Sequence, residues 1–349
     1  MRVVITGATG NVGTSLVEAL ADEPAVDTIV GIARRPPAVR APKTMWVSAD
    51  VGKDDMGPHL QGADALVHLA WLFHPMRRPT VTWQANAVGS ARVFRAAAEA
   101  GVATIVYASS VGAYSPGPKD RPVDETWPTH GWPTAGYARE KAYVERTLDG
   151  LAAERSDIRV VRLRPAFIFK RESASEQRRL FAGPLLPSWL VRREFIPIVP
   201  DFPGLRFQAL HTADAAEAFR LALVRPVAGA FNLAAEPVVD ARVLAELLGA
   251  RPLRVPRAAV RTAMAAAYRL RAMPVDPRLL DVFVRVPILD SARARDELGW
   301  QPRHTATEAL AELFAGMREE AGMPTPPLDP RTSGRLRGHE LATGVGEHA

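Results

Sequence analysis

Tyr137 and Lys141 are the pair of residues in this chain whose types and spacing point most directly to proton chemistry. If the segment from Ala135 onward is helical, residues four apart lie on one face of the helix. A tyrosine normally ionises near about 10, and a neighbouring ammonium group favours the phenolate and lowers the pKa toward neutrality. The pair predicts a phenol that exchanges a proton with a substrate hydroxyl or carbonyl group. The alternative is a chance pair on an exposed helix.

Two serines, Ser109 and Ser110, lie where a predicted strand ends. In an open α/β sheet, ligands bind at the carboxyl ends of the strands. At that edge Ser110 would donate a hydrogen bond to the substrate oxygen and polarise it. Taken alone, serines that merely turn the end of a strand are an equal alternative.

The element that would bring a ligand to these residues begins at the N-terminus. Arg2–Thr6 is a β-branched run, and apolar residues recur at helical spacing from Val12. The glycines Gly7, Gly10 and Gly13 therefore lie between a strand and the start of a helix. They would allow a tight turn, close approach of a ligand to the main chain, and close packing of the helix on the strand. With the free N–H groups of the first helical turn, this loop predicts a dinucleotide pyrophosphate site, against the alternative of a plain turn.

Strand-like and helical segments continue to alternate along the chain, which is typical of a doubly wound parallel sheet. The further predicted strands are Thr28–Ala33, Met45–Ser48, Ala65–Ala70, Thr104–Ser109, Val160–Arg164 and Ala230–Ala234, and the clearest helix is Trp83–Ala100. The predicted fold class is α/β, a Rossmann-type sheet with a smaller, mostly helical C-terminal lobe. Residues 1–165 form the dinucleotide-binding domain, to which 206–234 return, 166–322 the substrate lobe and 323–349 a mobile tail.

Composition excludes several classes of protein. The chain has 349 residues, 47% of them hydrophobic, and no cysteine, so disulfide and thiolate chemistry are ruled out. Short apolar runs and the absence of an export signal predict a cytoplasmic protein without a membrane partner. Residues 159–206 hold ten basic and four acidic side chains, which suit an anionic substrate or a solvated face. No motif for nucleic acid and no metal-ligand spacing is present.

In their order along the chain, these motifs resemble the NAD-dependent epimerase/dehydratase family of the extended short-chain dehydrogenase/reductase superfamily, over about residues 1–320. Thr6–Gly13 matches the glycine motif of the family, Ser110 its catalytic serine, and Tyr137 with Lys141 its catalytic pair. Further landmarks are Asp50-Val51, His68-Leu69-Ala70, the helix signature that begins at Asn86, Arg164-Pro165, His211 with Asp214, and Leu298–Pro302.

The resemblance implies a nicotinamide cofactor, NAD(P), and a small-molecule substrate. It assigns Lys141 to the nicotinamide ribose and makes Asn86 a candidate for positioning or proton relay. The implied cofactor-binding residues are Gly7, Thr9, Gly10, Asn11, Val12, Gly13, Arg34, Arg35, Asp50, Val51, Leu69, Ala70, Asn86, Ser109, Tyr137, Lys141 and Pro165. Helices that flank such a sheet often pair in this family, which suggests a homodimer.

Three departures from the family pattern refine the prediction. Arg34 and Arg35 follow the second strand where NAD-binding members carry an acidic residue, which favours NADP over NAD unless the arginines are solvated loop charges. Val111 follows Ser110 where dehydratases carry an Asp-Glu pair, so dehydration is not expected. Phe207 stands where sugar-nucleotide enzymes place a diphosphate-binding arginine, and Arg206 beside it should point to the opposite face.

Three functions stay open on these grounds. The first is an epimerase of a sugar nucleotide or related polyol, acting by transient oxidation of a secondary alcohol. The second is an NADPH-dependent carbonyl reductase or alcohol dehydrogenase with a less polar substrate. The third is a nicotinamide-sensing protein without turnover, which the complete set of Ser110, Tyr137 and Lys141 disfavours.

Overall fold

The computed structural model describes residues 1–74, 76–185, 196–334 and 337–347. The strands are β1 (Arg2–Thr6), β2 (Thr28–Ala33), β3 (Thr44–Ser48), β4 (Ala65–His68), β5 (Thr104–Ala108), β6 (Pro122–Val123), β7 (Arg159–Pro165), β8 (Phe167–Phe169), β9 (Ile198–Asp201), β10 (Arg206–Phe207), β11 (Ala209–His211), β12 (Gly229–Leu233), β13 (Val239–Asp240), β14 (Arg251–Arg254) and β15 (Ile288–Leu289). The α-helices are α1 (Asn11–Ala21), α2 (Gly57–Leu60), α3 (Pro79–Trp83), α4 (Gly89–Glu99), α5 (Gly136–Glu154), α6 (Ala174–Gln177), α7 (Thr212–Val224), α8 (Ala241–Leu248), α9 (Arg257–Arg269), α10 (Arg278–Phe283), α11 (Ala292–Asp296), α12 (Ala306–Glu319) and α13 (Gly338–Ala342).

Seven parallel strands form the central sheet, in the order β12-β7-β5-β4-β1-β2-β3. The chain builds outward from β1 to β3 and then returns to β4 on the other side of β1, which confirms the predicted doubly wound topology. Val3, Val4 and Ile5 of β1 have no exposed area. Because helices cover both faces of the sheet, its central strand is a continuous apolar run. The reversal at β1 and β4 opens the ligand-binding crevice at their carboxyl ends.

Each face of the sheet has its own hydrophobic core. On one face Leu16 of α1 and Phe219 of α7 pack with Trp300, and on the other Phe94 of α4 packs with Leu148 of α5. The predicted helix Trp83–Ala100 is interrupted, because a π-helical turn at Gln84–Val88 separates α3 from α4. Such turns often occur at functional sites.

A third core lies among residues of the predicted C-terminal lobe, such as Phe202, Val239 and Leu310, and it includes Phe207 from the segment 206–234 that was predicted to return to the dinucleotide-binding domain. The strands around this core form short pairs, among them β8 with β11 and β9 with β14. Residues 186–195 of the predicted lobe, including part of its basic segment, lie outside the described residues.

The C-terminal segment contacts this lobe. Leu328 has no exposed area, and Arg178 pairs with Glu340 at 2.9 Å. The proline and glycine content of residues 323–349 predicted a mobile tail. The contacts that this segment makes come largely from arginines, which a search for apolar clusters does not detect. Its mobility stays a prediction. In the part of the chain that the structure describes, no helix has both the length and the apolar character needed to cross a membrane.

Candidate active site

The glycine loop is folded so tightly that side chains would not fit at two of its positions. Gly7 has a φ of +72°, and a Cβ there would lie 2.7 Å from the Ala70 nitrogen. A Cβ on Gly13 would lie 2.4 Å from the Gly7 oxygen. Only glycine fits at either position. The absence of a side chain on Gly7 lets the loop lie directly against the end of β4.

Gly10 meets a different constraint. A Cβ there would contact only the Gly7 oxygen, at 3.4 Å. Gly10 is the N-cap of α1, which has neither a side-chain cap nor an acidic residue in its first turn. The first N–H groups of the helix therefore face room in which an anion can bind, and this cradle fits a dinucleotide pyrophosphate.

The other residues predicted in this loop would act mainly through their backbone. Thr9 is buried. The Asn11 side-chain oxygen accepts a hydrogen bond from Thr212 at 3.0 Å. This contact ties α1 to α7, so we expect Asn11 and Val12 to offer N–H groups to a phosphate.

The residues predicted for the adenosine end follow neighbouring strands. Arg34 and Arg35 come directly after β2, and both are exposed. Asp50 and Val51 come shortly after β3, where the Gly52 nitrogen donates to the Asp50 carboxylate at 2.9 Å. Because β2 and β3 are adjacent and parallel, all four residues lie at the same edge of the sheet.

Leu69 and Ala70 hold the end of β4 against the end of β1. The Leu69 nitrogen donates to the Thr6 oxygen at 3.0 Å, and the Ala70 nitrogen donates to the Thr6 hydroxyl at 3.4 Å. His68 contacts Thr6 at 2.7 Å and Ser90 at 2.9 Å through its two ring nitrogens. Burial, assisted by the charge of Lys141, lowers the pKa of His68 to about 3, so this histidine is a neutral structural residue.

Tyr137 lies in the first turn of α5 with Ser110 beside it. A Cβ on Gly112 would lie 2.8 Å from the Tyr137 ring, so the glycine makes room for the phenol. The Ser110 oxygen accepts a hydrogen bond from the Gly112 nitrogen at 3.0 Å and would lie 3.4 Å from the same Cβ. Burial raises the pKa of Tyr137, and the nearby Ser110 hydroxyl opposes the rise. Without a cofactor, the surroundings of Tyr137 in the protein thus raise its pKa, whereas the sequence predicted that the pKa is lowered.

Lys141 lies one helical turn further on and is buried. Its ammonium donates to the Ala108 oxygen at 2.7 Å and lies 3.5 Å from the centre of the Trp71 ring. Burial lowers the pKa of Lys141 to about 7, although Glu145 and Glu140 act in the opposite direction.

Replacing Lys141 by methionine is expected to stabilise the cofactor-free protein at pH 6 and to do so much less at pH 9. Below pH 7 the folded state carries a buried ammonium, and the free-energy cost of burying that charge is absent in the methionine variant. Between the folded pKa of about 7 and the usual 10.5, only the unfolded chain binds the proton, so wild-type stability rises with pH. Urea unfolding at both pH values measures the difference. A stability gain that is the same at both pH values would contradict the assignment.

Ser109 and Pro165 border a buried charge network behind the site. The Ser109 hydroxyl donates to Glu145 at 2.5 Å, and Arg164 binds both oxygens of Glu145 at 2.9 Å. Burial would raise the pKa of Glu145, but the hydrogen bonds and charge of Arg164 outweigh it and lower the pKa. Since its hydroxyl is engaged here, Ser109 would meet a cofactor through its backbone, and Pro165 ends β7 beside this network.

An aromatic wall stands in front of Tyr137. The Trp71 ring meets the Tyr137 ring edge-on, with ring centres 5.8 Å apart. The centre of the Phe73 ring lies 5.4 Å from that of Tyr137 and 5.1 Å from that of Phe181. The indole N–H of Trp71 is buried without a hydrogen-bond partner among the described residues, so an oxygen of a bound molecule would satisfy it. The sequence gives no local signal for the contact of these rings with the catalytic pair, because the two segments are far apart in the chain.

A cavity of about 120 Å³ adjoins this wall. Its apolar lining is Trp71, Leu72, Phe73, Met76, Pro79 and Leu279, and its polar lining includes Thr82, Thr134, Arg139, Glu140, Asp276 and Arg278. Arg139 is exposed, whereas Arg278 contacts both oxygens of Asp276. The cavity therefore combines an aromatic side with a cation at its edge.

Asn86, predicted as a cofactor or relay residue, lies in the π-helical turn and is buried. Its side chain binds the backbone of Leu72 and the carboxylate of Glu140. Glu140 was not identified from the sequence, because nothing in its local pattern distinguishes it from an exposed helical glutamate.

Phe207 and Arg206 point to opposite faces, as the strand alternation predicts. Phe207 is buried and its ring packs 5.7 Å from Phe167 and 5.2 Å from Phe283, whereas Arg206 is exposed. Neither residue offers a buried cation to a diphosphate.

The landmark Asp214 contacts the C-terminal signature through Trp300, and His211 lies beside His304 and Glu312. Asp214 accepts the backbone N–H groups of Arg303 and His304, and its carbonyl accepts the Trp300 indole N–H at 2.7 Å. His211, His304 and Glu312 lie close enough to share a metal ion. However, His211 Nδ1 accepts the Ala213 N–H at 3.2 Å, so Nε2 carries the proton and faces Glu312 at 3.0 Å. This tautomer disfavours a metal at Nε2.

Known proteins resemble this chain in sequence and fold. A model of the NAD dependent epimerase/dehydratase family matches residues 3–234. An uncharacterized protein of Mycobacterium tuberculosis is 25% identical over 94% of this chain and 86% of its own length.

Two solved structures illustrate the likeness of fold. One is a UDP-glucose-4-epimerase of Stenotrophomonas maltophila with NAD and formylated UDP-arabinopyranose, with a TM-score of 0.68, 22% identity and coverage of 92% of this chain and 98% of the other. The second is a UDP-glucose 4-epimerase of Thermotoga maritima with UDP-glucose, with a TM-score of 0.67, 18% identity and coverage of 92% and 99%.

Proposed function

The chain belongs to the NAD-dependent epimerase/dehydratase family, and we propose that it is an NAD(P)-dependent oxidoreductase that transfers a hydride at a secondary alcohol or ketone of a weakly polar substrate. The observation that carries this proposal is that the Ser110 hydroxyl and the Tyr137 ring border the same space over Gly112, one helical turn from a buried lysine. Tyr137 lines the cavity, while Ser110 follows β5 and Lys141 bonds the last residue of β5, at the sheet edge that holds the glycine loop.

When bound, the nicotinamide supplies or accepts the hydride. In reduction, Ser110 donates a hydrogen bond to the substrate carbonyl oxygen, and Tyr137 gives its proton to that oxygen as negative charge develops there. In oxidation, Tyr137 as phenolate takes the alcohol proton. The ammonium of Lys141 stabilises the phenolate and binds the ribose, while its bond to the Ala108 oxygen keeps it at this edge.

The character of the site favours a weakly polar substrate over a sugar nucleotide. Trp71 and Phe73 flank Tyr137, and Phe207 replaces the arginine that would hold a diphosphate. Arg139 at the cavity edge offers an exposed cation for a carboxylate or similar group, whereas the exposed Arg278 is paired with Asp276. Epimerisation of a sugar nucleotide is the competing proposal, because similar solved structures contain such ligands.

The two proposals differ in whether reduced cofactor is consumed. We expect the absorbance of NADPH to fall when the protein is incubated with NADPH and a panel of ketones that carry none, one or several rings. One molecule of NADPH should be oxidised for each molecule of alcohol formed. Inversion of a nucleotide sugar without net cofactor loss would instead identify an epimerase. Tight cofactor binding with no hydride transfer to any member of the panel would support the sensing protein.

Arg34 and Arg35 should determine the choice of cofactor in the same assay. Replacing both by alanine is expected to raise the KM for NADPH about 10- to 100-fold, because charge-assisted hydrogen bonds to a 2′-phosphate are worth about 1.5–3 kcal/mol. The KM for NADH should stay within about threefold. Arg40→Ala, at another exposed arginine of this loop, is the matched control. Equal effects on the two cofactors would disprove the preference for NADP.

A further inference from the structure

Glu140 is a buried carboxylate between the two catalytic residues of α5, three positions after Tyr137 and one before Lys141. Only 1% of it is exposed. One of its oxygens accepts the Thr82 hydroxyl at 2.7 Å, and the other accepts the Asn86 amide at 2.7 Å. A buried carboxylate held by two neutral donors costs more free energy than an apolar residue of the same size. Its presence therefore calls for a specific use of its acceptor oxygens.

That use is visible in the amide group of Asn86. Its Oδ1 accepts the Leu72 N–H at 2.7 Å, and its Nδ2 donates both to the Leu72 oxygen at 2.8 Å and to Glu140. Both backbone groups of Leu72 are thus held by one side chain. The amide keeps this orientation because Glu140 presents only acceptors to Nδ2.

Leu72 lies between the two aromatic residues that contact the catalytic pair. Trp71 lies over the Lys141 ammonium at 3.5 Å and against Tyr137, and Phe73 packs on Tyr137. The position of the Leu72 backbone therefore sets the position of both rings.

We propose that Glu140 is a positioning residue which, through Asn86, holds the segment Trp71–Phe73 against the phenol of Tyr137 and the ammonium of Lys141. This inference rests on the proposed function for its effect on turnover. The positional effect itself does not depend on turnover, which allows the two to be tested separately.

Glu140→Met tests the inference with little change in size. The methionine removes both acceptor oxygens, so Asn86 Nδ2 loses its side-chain acceptor and the Asn86 amide is held only by its two bonds to Leu72. We expect the indole ¹H–¹⁵N resonance of Trp71, assigned with Trp71→Phe, to shift, and kcat to fall about 10- to 100-fold. Thr82→Val, which removes the other bond to Glu140 but none to Asn86, should leave the indole resonance near its wild-type position.

Glu140→Gln is the conservative variant. Its side-chain oxygen can accept from Asn86 Nδ2 while its NH₂ group donates to the Thr82 oxygen, whose hydroxyl then donates to the Pro79 oxygen, so the indole resonance and most of kcat should stay near the wild-type values. An unmoved indole resonance in Glu140→Met, or a shift in Glu140→Gln as large as that in Glu140→Met, would overturn the inference. Should Glu140→Met fail to fold, Asn86→Ala must shift the same resonance. If no substrate is turned over at all, the proposed function fails while the resonance still reports on positioning.

Discussion

Replacing Tyr137 by phenylalanine is expected to lower kcat about a thousandfold and to leave the affinity for the nicotinamide cofactor within about threefold. The phenol is the proposed proton donor, and its removal leaves the hydride acceptor without a group that neutralises the developing alkoxide. Lys141, the glycine loop and the residues after β2 and β3 are untouched, so cofactor binding should persist. Turnover with a reactive ketone and a fluorescence titration with NADPH measure the two quantities.

Tyr143→Phe is the matched control, since Tyr143 lies on the same helix but is 44% exposed and packs on Trp83. It should retain wild-type turnover. Undiminished kcat in the Tyr137 variant would remove the proposed acid, and equal losses in both variants would indicate damage to α5 rather than loss of a proton donor.

Alanine substitutions at Gly10 and Gly13 are expected to separate cofactor binding from folding. Gly10→Ala should weaken NADPH binding at least about tenfold, because a methyl group in the open cradle displaces a pyrophosphate from N–H donors worth about 1.5–3 kcal/mol each. Its effect on the free energy of unfolding should be under about 1 kcal/mol, since the new Cβ meets only the Gly7 oxygen at 3.4 Å. Cofactor titration and urea unfolding give the two values.

Gly13→Ala should lower both the affinity for NADPH and the free energy of unfolding. Its Cβ would lie 2.4 Å from the Gly7 oxygen, and overpacking of this kind typically costs about 1–3 kcal/mol of stability. Unchanged cofactor affinity in Gly10→Ala would show that the cradle is not the pyrophosphate site, even if Gly13→Ala behaves as expected.

The sequence predicted the parts of this protein that depend on local pattern. Apolar runs and glycine punctuation predicted the parallel sheet, and strand alternation predicted that Phe207 and Arg206 face opposite ways. The spacing of Tyr137 and Lys141 placed both on one turn of α5, because helical geometry alone determines that relation.

What the sequence missed depends on contacts between distant segments. Trp71 meets Lys141 across 70 positions of the chain, and Glu140 acts on Leu72 through Asn86, a relation that no single segment contains. The direction of the Tyr137 pKa was also mispredicted for the protein groups alone, since burial could not be weighed against the charge of a lysine whose own pKa is lowered. A positive ring of a bound cofactor would add to the Lys141 charge and favour the phenolate of Tyr137.

Transfer of deuterium from labelled cofactor to product tests the central claim most directly. With reduced nicotinamide cofactor deuterated at the transferable position of its ring and a ketone substrate, the account predicts that the label appears on the carbinol carbon of the product, one atom per cofactor oxidised. It also predicts that Tyr137→Phe slows this transfer about a thousandfold while still binding the cofactor. Product formed without the label, or labelled at the wild-type rate by the phenylalanine variant, would contradict it.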